Sequence, residues 1–261
     1  MTRFFGFIVL AILITALVLS YCRAAWISLA MAIGIMFLIF MKIKFRWLAL
    51  TAIVAGIILY TFQFEILTAM ERNKQSKAAT LTEHVRSISN ISTDNSNLER
   101  INRWMSAFRM YQERPRFGFG PGTYQFEYAP YQLSDEKTLI STNAGDKGNA
   151  HSEYIGPLAE QGLPGMLIVV ALVIAMVMTG LKVYHRTRTP EIKYLSMTTM
   201  LGLITYFIHG LMNNFLDTDK ASVPVWGFMA ILVAMDIYDI QAEKNKIDQP
   251  DGCNQTISSG Q

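Results

Sequence analysis

Residues 166–181 read MLIVVALVIAMVMTGL, a stretch with no charge anywhere in it. A run of this length and oiliness, entered through Gly162-Leu163-Pro164-Gly165 and left through Lys182, has the makings of a membrane span. Similar runs lie on both sides: Phe4 to Leu19, Ala24 to Met41, Trp47 to Phe64, Tyr194 to about Met212, and Ala221 to about Met235. Each is near the roughly 20 residues that a spanning helix needs, and the charges are confined to the links between them. With 51% apolar and 16% charged residues and a mean hydropathy of +0.26, the chain is too apolar for an ordinary water-soluble domain. The expectation is an all-α, polytopic membrane bundle of about six spans. The first run has Arg3 before an apolar core, as a signal peptide does, but no small-x-small cleavage site follows and a second span comes at once, so a retained anchor is expected.

Orientation follows from the cations of the short links. Lys42, Lys44 and Arg46 crowd one link, and Lys182, Arg186, Arg188 and Lys193 crowd another; both should be cytoplasmic. Counting outward gives three spans in residues 1–64, an extracytoplasmic loop at 65–164, three spans in 165–240 and a cytoplasmic tail at 241–261. Cys22 and Cys253 then lie on opposite sides, and no disulfide is expected.

Within the loop, Gln75 to Asn97 is rich in Ser, Thr and Asn and has no readable function. From Ser96 the pattern changes. Ser96 and Glu99 have capping-box spacing, and Ile101, Trp104, Met105, Phe108 and Tyr111 follow at helical intervals, predicting an amphipathic helix of about fifteen residues that ends at Arg114-Pro115. Gly118, Gly120, Pro121 and Gly122 form a turn; without a Walker lysine or a preceding apolar strand they do not make a phosphate loop. No Gly-x-Ser-x-Gly motif, paired histidine motif or internal repeat is present, which argues against nucleotide hydrolysis and zinc chemistry.

Three blocks resemble those of one family. His151-Ser152, nine residues, then Gly162-Leu163-Pro164-Gly165 directly before a span is the most specific. Arg100 and Trp104, followed by Arg114-Pro115-Arg116-Phe117-Gly118-Phe119-Gly120-Pro121-Gly122, is the second, and Arg23 opening the second span is the third. In these the chain resembles the C-terminal half of the O-antigen ligase and Wzy-type polymerase superfamily. Members usually carry about twice as many spans, so the resemblance implies an N-terminal half supplied by a longer chain or a partner. The family often has Leu where Ile27 stands here.

The resemblance implies a GT-C-like bundle in the bacterial inner membrane with its large loop in the periplasm. Its activity would move a glycan from an undecaprenyl-diphosphate carrier to a hydroxyl acceptor, in lipopolysaccharide biosynthesis if that acceptor is the lipid A core, the favoured case. A growing glycan chain or a protein hydroxyl would make the chain a polymerase or an O-oligosaccharyltransferase, and a truncated, non-catalytic lipid-linked-glycan binding subunit is the reading from another class. No cofactor, metal or nucleic acid is implied; the partners are the lipid-linked donor, the acceptor and membrane lipids.

Against that task Arg100, in the first turn of the predicted helix, is the first choice for the diphosphate, since helix dipole and guanidinium both favour an anion there. Arg23, at headgroup depth, is the second. Either cation could instead snorkel to lipid headgroups, and Arg103, Arg109, Arg114 and Arg116 could form a solvated basic face. His151 is the candidate base for the acceptor hydroxyl. His209, near the outer end of the fifth span, and Glu153 and Asp217 are secondary candidates; Glu153 could orient His151 or cap the next helix.

Overall fold

Seven α-helices and one 3-10 turn, with no strand among the described residues, account for the regular structure; the computed structural model describes residues 2–41, 95–142 and 148–248. We number the helices α1 (Thr2–Leu19), α2 (Arg23–Phe40), α3 (Asn95–Glu113), α4 (Tyr124–Glu127), α5 (Ile155–Arg186), α6 (Pro190–His209) and α7 (Asp219–Asp248). The third predicted span, Trp47 to Phe64, most of the Gln75 to Asn97 stretch and Cys253 lie outside the described residues.

Among the described residues two helices are long and apolar enough to cross a membrane, Ile155–Arg186 and Asp219–Gln241; the apolar stretches Phe4–Leu19 and Ala24–Phe40 are shorter. Their outward faces are oily, with Phe4, Phe7, Ile168 and Met178 among the exposed side chains, a surface that water would penalise and lipid does not. Helix α6 is not among the two for a physical reason. It is walled by α2, α5 and α7, buries Ser196, Met200, Leu203 and Phe207, and so carries hydroxyls that face protein rather than lipid. Ser196 Oγ donates to the Gly180 carbonyl at 2.9 Å, and a Cβ on Gly180 would come within 2.7 Å of Met200 Sδ. The glycine is what lets α5 and α6 approach. Ala32, Met176, Met197 and Leu232 complete this core.

At one end of the bundle Arg186 ties α5 to α7, its Nε donating to Asp239 at 2.8 Å and Nη2 to the Asp236 carbonyl at 2.9 Å. Helix α7 runs on to Asp248, past the expected tail boundary at 241. The residues QAEKNKID (241–248) favour helix in water, so the helix need not stop where the apolar run does.

At the other end α5 begins at Ile155, well before Met166, and kinks at Gly162, which has φ +70° and ψ −163°. The kink and Pro164 free two carbonyls, because Pro164 has no N–H to return to Glu160. Gly120 N–H donates to the Glu160 carbonyl at 2.7 Å and Phe119 N–H to that of Ala159 at 3.2 Å, while Leu163 N–H donates to the Pro115 carbonyl at 3.0 Å. The glycine turn of the loop is thereby docked on the kink. Only glycine fits either side of this joint: a Cβ on Gly118 (φ +63°) would stand 2.3 Å from the Glu160 carbonyl carbon, and one on Gly162 2.6 Å from the Pro115 carbonyl oxygen.

Candidate functional site

Beside this joint, the loop re-enters the bundle through Gly148 to Tyr154. Asn149 Oδ1 accepts the His151 N–H at 3.1 Å, and the buried Ser152 hydroxyl accepts the Tyr154 and Ile155 N–H groups, both at 3.3 Å, capping α5. Between them His151 adopts φ +47°, a left-handed conformation rare for a residue with a side chain. Such strain persists only where the surroundings enforce it.

Those surroundings come from α3. Its Arg100 and Arg103 both act on His151, and Arg100 also lies within electrostatic reach of His209 at the end of α6. Burial first, then the two guanidiniums, push the His151 imidazole down to about 4, against a partial lift from Glu99. The ring is therefore neutral near pH 7. Arg100 lies beyond the first turn of α3, which is already helical at Asn95. The helix-dipole rationale for Arg100 therefore fails, as the dipole's influence is confined to the first turn; its proximity to His151 remains. Arg23 opens α2, and its side chain lies outside the described residues.

The other arginines do not share one environment: Arg103 and Arg109 are drawn into the protein, and Arg114 and Arg116 are exposed. Arg103 is buried, with Nε donating to Glu99 at 2.6 Å and its guanidinium 4.4 Å from the Tyr128 ring centroid. Arg109 pairs with Glu136; Arg114 stacks 4.3 Å from the Phe119 ring centroid yet is exposed, as is Arg116. Glu99 does not act as the capping-box acid. It is buried, and accepts Thr138 Oγ1 at 2.9 Å and the Ser141 hydroxyl as well as Arg103. Burial alone would raise its carboxyl, but the bonds from Ser141, Arg103 and Thr138 outweigh it and hold the group below the usual carboxylate range. Its ionised form thus fixes the Arg103 cation and the loop segment 138–141 together.

Glu153 is a joint of a different kind. Its Oε1 accepts Tyr206 Oη at 2.5 Å and Leu216 N–H at 2.9 Å, and its own N–H donates to the Gly210 carbonyl at 2.8 Å. Rather than orienting His151 or capping α5, it fastens the loop's return to the end of α6 and the turn after it; burial raises its carboxyl. His209 Nε2 lies 3.0 Å from Asn213 Nδ2, and Asp217 accepts Asn214 Nδ2 at 2.8 Å. Glu160, which residue order alone did not single out, accepts the N–H groups of Gly122 at 2.9 Å and Tyr124 at 3.0 Å, holding α4 against α5. Its only advance signal is its place two residues before the kink.

No set of three His, Cys, Asp or Glu side chains among the described residues is arranged to hold a metal ion. A cleft of about 670 Å³ opens between the glycine turn, the 148–153 segment, the start of α5 and the 213–217 turn.

The O-Antigen ligase family model matches residues 8–170, more than half of the chain and both interlocked glycine blocks. The chain belongs to the O-antigen ligase family. It is also 20% identical over 220 residues to an uncharacterized protein of Haemophilus influenzae, a match that covers 84% of this chain and 53% of that protein, so the chain spans about half the length of this relative. No solved structure matches. The family and the two long apolar helices together suggest a membrane protein.

Proposed function

We propose that this O-antigen ligase family member transfers a glycan from undecaprenyl diphosphate to a hydroxyl acceptor, the lipid A core being favoured, at the outer face of the inner membrane and without a resident metal. The observation that carries the reading is the convergence of Arg100 on His151 from separate parts of the chain, with His151 half-buried and held neutral. In the reaction His151 takes the acceptor hydroxyl proton as the new glycosidic bond forms, and undecaprenyl diphosphate departs with the electron pair of the broken bond, its growing charge held by Arg100. A bound diphosphate also offsets the two guanidiniums that hold the imidazole acidic, so donor binding makes His151 a better base.

Reconstitution in vesicles with lipid-linked glycan and lipid A core tests this. His151→Ala should cut turnover by about a hundred- to ten-thousand-fold while donor binding stays near wild type. Arg100→Ala removes a charge-assisted contact worth about 1.5–3 kcal/mol, so donor affinity should fall roughly ten- to a hundred-fold, and Arg100→Lys should recover only part of it. Wild-type turnover in His151→Ala ends its assignment as the base. Donor binding without any transfer by the wild-type chain would leave a lipid-linked-glycan binding subunit instead.

A further inference from the structure

Helix α3 is amphipathic, as its residue order predicts, but it lies the wrong way round for a helix in water. The side chains turned into the protein are Glu99, Asn102, Arg103, Ser106, Ala107 and Met110, all buried. Hydrogen bonds hold the polar ones there: Asn102 Nδ2 donates to Gln132 Oε1 at 2.8 Å, the Ser106 hydroxyl to the Asn102 carbonyl at 2.8 Å, and Arg103, Thr138 and Ser141 to Glu99. At about 100° per residue the opposite face is Ile101, Trp104, Met105, Phe108 and Tyr111. None of these five is buried, and Met105 and Phe108 are each 40% exposed. A helix surrounded by water turns such a stripe inward.

The C-terminal end of α3 is also pinned to the mouth of an apolar span. Two residues beyond Glu113, the Pro115 carbonyl accepts the Leu163 N–H at 3.0 Å, and Leu163 opens the uncharged run that continues through the exposed Leu167 and Ile168. Phe117 follows at 82% exposure, with the exposed Arg114 and Arg116 beside it. Two residues of chain reach at most about 7 Å, so Phe117 stays near the depth of Leu163. Rings interleaved with cations where a span meets water match an interfacial helix, whose apolar groups enter the acyl boundary while its cations meet lipid phosphates. We propose that the apolar face of α3 and Phe117 form a bilayer-docking surface, seated in the phospholipid headgroup layer of the leaflet that α5 enters at Leu163, with Arg114 and Arg116 on lipid phosphates. Lipid is the occupant because the joint makes this surface continuous with the oily outer side of α5, and because exposed cations border its rings. The opposite face of α3 is covered by the 138–141 segment through Glu99, so Leu139, 94% exposed, stands on the water side. No role of His151 enters, and the docking stands apart from the transfer reaction.

Spin labels test this in the full chain carrying Cys22→Ser and Cys253→Ser, placed in nanodiscs of phosphatidylethanolamine and phosphatidylglycerol. One nitroxide at a time is attached through Phe108→Cys, Phe117→Cys or Leu139→Cys; all three positions are exposed, so a label displaces no buried side chain. Relaxation by oxygen, which concentrates in lipid, is compared with relaxation by a water-soluble nickel chelate. The oxygen-to-nickel ratio at 108 and 117 should be at least about threefold that at 139, although Leu139 is the most exposed of the three. Nickel access at 108 and 117 equal to that at 139 overturns the docking. A label at 108 that is immobile and shielded from both reagents overturns it in favour of a protein cover, either residues 42–94 or a second copy. Arg114→Glu combined with Arg116→Glu sets carboxylates against lipid phosphates and should lower the ratio at 117 about twofold or more. An unchanged ratio in that variant overturns the phosphate contacts.

Discussion

At the scale of single residues, His151 combines three properties: a left-handed backbone, partial burial, and two nearby guanidiniums. The consequence for pH is definite. Burial, Arg100 and Arg103 disfavour the imidazolium, so a base of this kind is lost only as pH falls through about 4 in the free protein. The acid limb of kcat/KM, which reports the free protein, should lie near that value, and the limb of kcat should lie higher, because a bound diphosphate screens the arginines. Rate profiles between pH 3.5 and 8 check this, and coincident limbs would count against an anion held beside His151. The blocks that hold His151 and Arg100 stood out in the residue order, and the fold brings the two residues within electrostatic reach; the duties of Glu99 and Glu153 could not be read there. A carboxylate at capping-box spacing reads the same whether it turns back to its own helix or, as Glu99 does, outward to Thr138 and Ser141. Only the path of the intervening loop decides.

At the scale of elements, the apolar runs gave helix positions well, since an uncharged stretch in lipid can satisfy its backbone only as a helix. They misjudged ends: α5 starts eleven residues before Met166 and α7 continues to Asp248, because helix persists in water wherever caps or good helix formers allow it. The glycine turn was legible as a turn, but not as the partner of the kink, a contact made entirely by main chain. That contact predicts a sharp contrast among alanine substitutions. Gly162→Ala combines a positive-φ penalty on the order of 1–3 kcal/mol with a clash against the 115–116 backbone, and should lower the melting temperature in detergent markedly. Gly156→Ala, at a helical position, should hold or raise it. Equal melting of the two would mean that the joint bears no load.

For the whole molecule, the two ends of the bundle differ in kind. One carries the His151 site and the docked loop, the other the Arg186, Asp236 and Asp239 cluster, where Arg186 Nη1 and Asp236 are 2.9 Å apart. The charges of the 182–193 link predict which end faces which compartment. Alkaline-phosphatase fusions at residue 140 should be active and those at residue 188 inactive; the reverse pattern would put the site on the wrong side for a lipid-linked donor. Composition was enough to read an all-helical membrane protein. Span count was harder, because α6 is sheltered by its neighbours and can hold Ser196, Thr199 and Thr205 at positions where a lipid-facing helix would be purely apolar.

The close approaches at Gly162 and Gly180 look alike, yet a geneticist would find them opposite. What crowds Gly180 is the side chain of Met200, which a second mutation can shorten; what crowds Gly162 is the peptide backbone of residues 115 and 116, which no codon change removes. A selection for revertants of a Gly180→Leu strain should therefore return second-site suppressors such as Met200→Ala. The same selection from Gly162→Ala should return true reversion to glycine and no compensating change at positions 115 or 116.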